Sequence, residues 1–208
     1  MEFTEPTDVR NAAHHGRARS TSKAELSHVG LELFIERGFD HTTVDDIAAA
    51  AGIGRRTFFR YFPSKNDLPW GDFDVMLDGM RRHFAALPDE ASLVDALRQA
   101  VMEFNRLPDA EVPYHRQRME LLLRVPTLLA HSTLRYESWR QVVAEYVARR
   151  LDLPPESLQP QTIARVCLGI ALSAYDLWLQ DEHADLLALI DAGFLTMEGL
   201  FVPPASDR

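Results

Sequence analysis

Eight consecutive residues, Arg55–Arg56–Thr57–Phe58–Phe59–Arg60–Tyr61–Phe62, gather three guanidinium groups and two hydroxyls around three phenylalanine rings. Read as a helix, Phe58 and Phe62 are four apart and face a core. Arg56 with Arg60, and Thr57 with Tyr61, are also i,i+4 pairs and lie away from it. Arginine on such a face can meet guanine O6 and N7 bidentately, and the hydroxyls can meet bases or phosphates. Lys65, just past the helix, is placed for a backbone phosphate. Thr42 and Thr43 stand at the start of the preceding helix, where backbone N–H groups favour anions. Residues 1–20 are polar and without periodicity, an arm made basic by Arg10, Arg17 and Arg19. The candidate nucleic-acid contacts are therefore Arg17, Arg19, Thr42, Thr43, Arg55, Arg56, Thr57, Phe59, Arg60, Tyr61 and Lys65. Two arginines on a short helix also describe a solvated face, so the reading depends on the elements around them.

Those elements are ordered. Leu26, Val29, Leu33 and Phe34 share one face of a helix beginning near Ser22, and Gly38 stands where a left-handed C′ residue would end it. Thr43, with a carboxylate three residues on at Asp46, resembles a capping box. Val44, Ile47, Ala48 and Ala51 form the buried stripe of the next helix, and its alanines allow close approach. Gly52–Ile53–Gly54 then makes a sharp turn with one apolar anchor, as between two crossing helices. Pro63 stops the arginine-bearing helix. Ser64 with Asp67 caps another, and Trp70, Phe73, Leu77, Met80 and Phe84 continue it as one apolar stripe.

The net charge of −9 argues at first against a polyanionic partner. The charge is unevenly distributed, however. Residues 17–65 carry eight Lys/Arg against six Asp/Glu, whereas residues 66–208 carry thirteen against twenty-two. The acidity belongs to the second part, and the contrast between segments is the informative quantity.

That second part reads as further helices: Leu93–Phe104, a segment around Met119–Leu123 ending near Pro126, and a long one with Leu129, Ser132, Tyr136, Trp139, Val143 and Tyr146 on a stripe. Two apolar helices follow, near 162–180 and 184–199. With no strand-period segment, the fold class is all-α. The domains expected are an arm at 1–20, a helix-turn-helix unit at 21–66, a ligand-binding and dimerisation domain at 67–203 and a tail at 204–208. A pocket between helices would be lined by large residues inside the stripes: Phe104, Met119, Leu123, Trp139, Tyr175 and Trp178. Each of these also reads simply as core. Arg116, Arg118 and Arg124 flank the Met119–Leu123 stripe. As cations near a pocket mouth, the three could meet phosphates of an anionic ligand, and Arg124 joins the candidate ligand contacts.

Other chemistries find little support. His14–His15 lie in the arm, and His115 and Glu120 are five apart, off the spacing that would bring two metal ligands together. No metal or cofactor is expected, and neither a phosphate-cradling glycine loop nor a Gly-x-Ser-x-Gly elbow occurs. The single cysteine, Cys167, sits in an apolar helical run and reads as core, in keeping with a reducing cytoplasm. The first thirty residues hold no apolar signal-like run. The apolar stretches near the C-terminus are interrupted by Arg165, Asp176, Asp191 and Glu198, so no membrane partner is expected. An enzyme in an all-α cavity would need an acid–base or metal group, and none stands out.

The stretches Gly38–Phe39–Asp40–His41–Thr42–Thr43–Val44, Ile47–Ala48, Gly52–Ile53 and Thr57–Phe58–Phe59–Arg60–Tyr61–Phe62–Pro63–Ser64–Lys65 resemble the TetR family of repressors. The resemblance implies a homodimer of nine-helix chains, with three helices as the DNA head and the last two forming a four-helix bundle with their dimer mates. Phe59 departs from a tyrosine often found there, and Gly54 from a serine cap. Residues 62–73, Phe62–Pro63–Ser64–Lys65–Asn66–Asp67–Leu68–Pro69–Trp70–Gly71–Asp72–Phe73, look like the mycofactocin-system regulators within that family. That narrower likeness implies an operon for a peptide-derived redox cofactor and a long-chain acyl-CoA as effector. A regulator of an efflux or lipid-metabolism operon with another hydrophobic ligand is the alternative, followed by a ligand-binding adaptor that no longer reads DNA.

Overall fold

The computed structural model describes residues 22–88 and 90–201, so Arg17, Arg19, the arm and the tail lie outside the described residues. Nine α-helices and two short 3-10 helices make up the described chain. Helices α1 (Lys23–Arg37), α2 (Val44–Ala50) and α3 (Arg55–Tyr61) form the head. A 3-10 helix, Lys65–Trp70, leads into α4 (Phe73–Ala86) and α5 (Leu93–Phe104). After a second 3-10 turn come α6 (Val112–Arg124), α7 (Pro126–Leu151), α8 (Leu158–Gln180) and α9 (Leu186–Phe201).

Local chemistry sets the helix starts in the head. Ser22 Oγ accepts from Glu25 N at 3.1 Å and Glu25 returns the bond to Ser22 N at 2.8 Å. Thr43 and Asp46 close the same reciprocal box, the shorter aspartate arm sufficing at 2.8 and 3.2 Å. Gly38 ends α1 with φ 84° and ψ 148°, a positive φ outside the left-handed helical basin expected for it. Leu26, Phe34, Ile47, Phe58 and Phe62 fill the core between the three helices.

The stripe from Trp70 to Phe84 is apolar throughout, yet it does not form one helix. Gly71 turns the chain at φ 54° between the 3-10 helix and α4, a conformation that favours a residue without Cβ. Pro69 sits inside the 3-10 helix, where the shorter bonding pattern tolerates it. On α7, Leu128 takes the buried place and Leu129 is exposed, one residue away from the stripe read from sequence. Helix α8 is long and apolar enough to cross a membrane by length and composition. In the fold it packs between α7 and α9 with Ala164, Cys167, Ala171, Ala174 and Trp178 buried, which is how the core helix of a globular domain behaves.

Two of the contacts between head and body are made by the 3-10 helix Lys65–Trp70. Gly30 of α1 faces Leu68 so closely that a Cβ there would stand 2.5 Å from Leu68 Cδ1. Asp67, in the same 3-10 helix, is buried and accepts from Ser64 Oγ (2.7 Å), His131 Nε2 (3.0 Å) and Arg135 Nη2 (3.0 Å), the last two on α7. Burial alone would raise its pKa. The three donors outweigh that and hold the carboxyl below the ordinary aspartate value.

Gly30→Ala should destabilise the protein by about 1–3 kcal/mol through overpacking, read as a lower denaturant midpoint, and Leu68→Val in the same chain should recover much of it. Asp67→Asn should cost about 2–3 kcal/mol at neutral pH, since charge-assisted bonds to Arg135 and His131 are weakened. A depressed folded pKa stabilises above the unfolded pKa and ceases to do so as pH falls through the folded value. The stability gap between wild type and Asp67→Asn should therefore shrink below about pH 4, the ordinary aspartate value.

Candidate nucleic-acid interface and ligand cavity

The turn between α2 and α3 is built by Gly52 at φ 66° and by Ile53 N donating to Ala48 O at 2.9 Å. It sets α3 across α2 with Phe58 fully buried and Phe62 nearly so. Gly54 has no side chain to cap α3, and of the first-turn N–H groups that of Thr57 donates to Gly54 O at 2.8 Å. Arg55, Arg56, Phe59 and Arg60 are exposed, while Thr57 and Tyr61 are half-buried. Arg56 has no ion-pair or hydrogen-bond partner among the described residues. Arg55 pairs with Asp45 of α2 at 2.7 Å and lies 5.4 Å from the Phe59 ring centroid. Such a solvated pair holds a side chain only weakly, leaving it free to exchange for a phosphate. Arg60 lies over the Tyr61 ring at 5.2 Å.

Two of the residues expected to contact phosphate are used internally. Thr42 is fully buried, and its hydroxyl sits 2.9 Å from Gly38 O and 3.2 Å from Leu33 O, which shuts its side chain away from any partner. The Lys65 ammonium donates to Phe39 O (2.7 Å) and Thr42 O (2.9 Å) and lies 4.2 Å from the Phe39 ring centroid. Partial burial lowers its pKa, with Asp40 opposing. Lys65 thus ties the end of α3 to the loop before α2. Thr43 remains exposed, its hydroxyl engaged in the cap at 2.5 Å from Asp46.

In the body, an apolar cavity of about 70 Å³ lies among the 3-10 helix, α4, α5, α6, α7 and α8. Of the residues expected at a pocket, Phe104, Met119, Trp139 and Tyr175 line it. Leu123, Arg124 and Trp178 do not. Arg124 is exposed and paired with Glu120 at 2.9 Å, one helical turn back. Trp178 is buried behind the wall, with the Arg116 guanidinium 4.0 Å from its ring and bonded to its carbonyl. Leu123 packs on the core away from the cavity. Trp70, Asn105, His115 and Tyr136 are polar wall residues that sequence reasoning did not place at a pocket, and Arg118, read from sequence only as one of three cations flanking the stripe, joins them in the wall.

The polar part of the wall has a defined hydrogen order. Asn105 Nδ2 donates to Val101 O (2.7 Å), which orients its Oδ1 to accept from the Tyr175 hydroxyl at 2.5 Å. Tyr175 has one hydrogen and gives it away there. His115, 2.7 Å from the same oxygen, must donate from Nε2, leaving Nδ1 as a bare acceptor. Burial, assisted by the Arg118 charge, lowers the His115 pKa to about 3, so the ring is neutral at physiological pH. Burial raises the Tyr175 and Tyr136 pKa values and lowers that of Arg118. Cys167 is buried and its thiol is pushed up to about 12, in keeping with a packing role.

Known proteins place this arrangement. Residues 26–68 match the family of bacterial regulatory proteins of the tetR type, and residues 91–201 match the MftR C-terminal domain. The mycofactocin biosynthesis transcriptional regulator MftR named in Mycobacterium tuberculosis is 45% identical over 179 residues, covering 86% of this chain and 90% of that one. The fold resembles FadR of Bacillus halodurans, a fatty acid degradation regulator, with a TM-score of 0.65 at 18% identity, covering 86% of this chain and 98% of the other. It also resembles Thermus thermophilus FadR, a TetR family transcriptional repressor in complex with lauroyl-CoA, with a TM-score of 0.56 at 22% identity, covering 90% and 99%. With a matched head, a matched body and a relative aligned over most of its length, the chain belongs to the TetR family of bacterial transcriptional regulators.

Proposed function

We propose that this regulator is a cytoplasmic homodimeric repressor of a mycofactocin-type redox operon, released from its operator by a long-chain acyl-CoA. The observation that carries the ligand-relieved mechanism is the position of Trp70. It ends the 3-10 helix that begins four residues after the last residue of α3, and it stands in the cavity wall. A ligand that displaces Trp70 pushes on the segment whose Asp67 and Leu68 pin the head. Helix α6 offers a second path. Its inner face carries His115, Arg118 and Met119, and its Tyr114 stacks on His28 of α1 with ring centroids 4.2 Å apart.

The cavity is small beside the roughly 300–1,000 Å³ of ligand pockets. An acyl chain can enter only by moving the walls, and Met76, Phe104 and Met119 are the side chains best able to give. Dimerisation through α8 and α9 is supported by their exposed apolar residues, Val166, Leu177 and Leu195. On the operator, two α3 helices would meet successive major grooves about 34–36 Å apart or a multiple of it. The 45% identity to the mycofactocin regulator favours that operon over an efflux or lipid-metabolism one.

A gel shift on the DNA upstream of the gene should show a retarded complex that long-chain acyl-CoA dissolves, while a drug-like cation and buffer do not. Retention of the complex at saturating acyl-CoA would sink the effector assignment. Arg56→Ala should weaken operator binding and relax preference at one base position by about 1–3 kcal/mol of discrimination. Competition between single-base operator variants measures that directly, and undiminished preference would show that another face of α3 reads the bases.

A further inference from the structure

Six buried side-chain atoms among the described residues have no hydrogen-bond partner, and four belong to residues lining one cavity: Trp70 Nε1, His115 Nδ1, Arg118 Nε and Tyr136 Oη. Buried polar groups in folded proteins are nearly always satisfied, so such a concentration marks a place where something else supplies the partners. The imbalance says what that something is. The indole N–H and guanidinium N–H only donate, and the phenol can donate as well. His115 Nδ1, fixed by the Tyr175–Asn105 chain, is the one group confined to accepting.

Charge sharpens the point. Arg118 is largely buried and desolvation disfavours its charge; the Glu111 carboxylate offsets this only in part, and no carboxylate among the described residues lies within ion-pair distance of the guanidinium. Every other arginine of α6 is occupied: Arg116 on the Trp178, Asp181 and Glu182 carbonyls and Arg124 on Glu120. A buried guanidinium without an anion is costly, and the cost is recovered when an anion arrives. We propose that Arg118 is the effector's anchor: the cavity takes a molecule with an apolar body and an anionic oxygen group, which Arg118 neutralises inside the body of the protein. This rests on the ligand-relieved reading and deepens it. The apolar body lies against walls such as Phe73, Leu168 and Leu172, and Trp70 and Tyr136 supply further donors. The anionic oxygen comes either from a free carboxylate or from the phosphates of an acyl-CoA.

The test compares full-length wild type, Arg118→Met and Arg118→Lys by thermal shift and calorimetry with palmitate, palmitoyl-CoA and the neutral methyl palmitate. Arg118→Met replaces an unpaired buried charge by an apolar chain of similar length, so the ligand-free variant should melt at or above wild type. Its affinity for the anionic ligand should fall at least tenfold, with methyl palmitate affected far less and Arg118→Lys intermediate. A response to palmitate alone assigns the carboxylate, and a response to palmitoyl-CoA alone assigns the phosphates. Anionic-ligand affinity unchanged in Arg118→Met, with operator release by palmitoyl-CoA intact, overturns the anchor and leaves the effector reading standing. A ligand-free Arg118→Met that melts well below wild type overturns it too, because the guanidinium would then have a structural role. Failure of all three compounds to bind wild type overturns the anchor and the acyl-effector reading together.

Discussion

The six residues from Lys65 to Trp70 have to satisfy two structures at once. Lys65 closes the head by donating to the carbonyls of Phe39 and Thr42. Trp70, five residues later, is a wall of the apolar cavity. Between them the Asp67 carboxylate gathers Ser64, His131 and Arg135, and Leu68 fills the only space that Gly30 leaves on α1. A shift of Asp67 or Leu68 disturbs a buried ion pair or a packed leucine. Because packed interiors resist gradual deformation, a displacement of this wall, as the proposed mechanism requires, would be passed to the head as a change of position. The orientation of α3, and through it the spacing of two α3 helices in a dimer, depends on this short connection.

The head itself is stabilised by interactions that face inward and leaves those facing outward loosely held. Phe58 and Phe62 are buried and the Lys65 ammonium is doubly bonded, whereas Arg56 has no partner among the described residues and Arg55 holds Asp45 only in solvent. That division suits a surface that exchanges its ion pairs for phosphates, where released counterions drive affinity and each cation contributes to the salt dependence.

Much of the head was legible because its signals are local. The Thr43–Asp46 box, the Gly52–Ile53–Gly54 turn and the Phe58/Phe62 face are each set within a few residues, and each stands in the structure as the spacing implies. The internal bonds of Thr42 and Lys65 were not legible, because residue type and position near a helix end do not reveal which way a side chain turns; both side chains are held by backbone carbonyls. The cavity was half legible. Phe104, Met119, Trp139 and Tyr175 were found as large stripe residues, but size alone could not separate them from Trp178, which is as buried and faces elsewhere. A better signal was present on α6. His115, Arg118, Met119 and Leu122 recur at i, i+3, i+4 and i+7, so two polar residues lie on the apolar stripe itself. A charge at a core position carries more information than its neighbours on the solvated face, and Arg118 differs from Arg116 and Arg124 in this respect.

The same residue bears on how strongly an effector can act. A ligand moves an equilibrium between DNA-competent and DNA-incompetent forms only by the difference in its affinity for the two. A hundredfold loss of operator affinity requires about 3 kcal/mol of such difference. Apolar contacts with flexible walls are poor at supplying it, since methionine and phenylalanine side chains repack around a chain in either form. A guanidinium that is unpaired without ligand and paired with it discriminates more sharply, because hydrogen bonds to ions depend steeply on geometry. Arg118 shares α6 with Tyr114, which stacks on His28 of α1, and Glu111, the residue just before α6, stands 3.3 Å from the same imidazole. On the proposed reading, drawing the guanidinium onto an anion would pull on the helix that also braces the head and so couple ligand charge to head position.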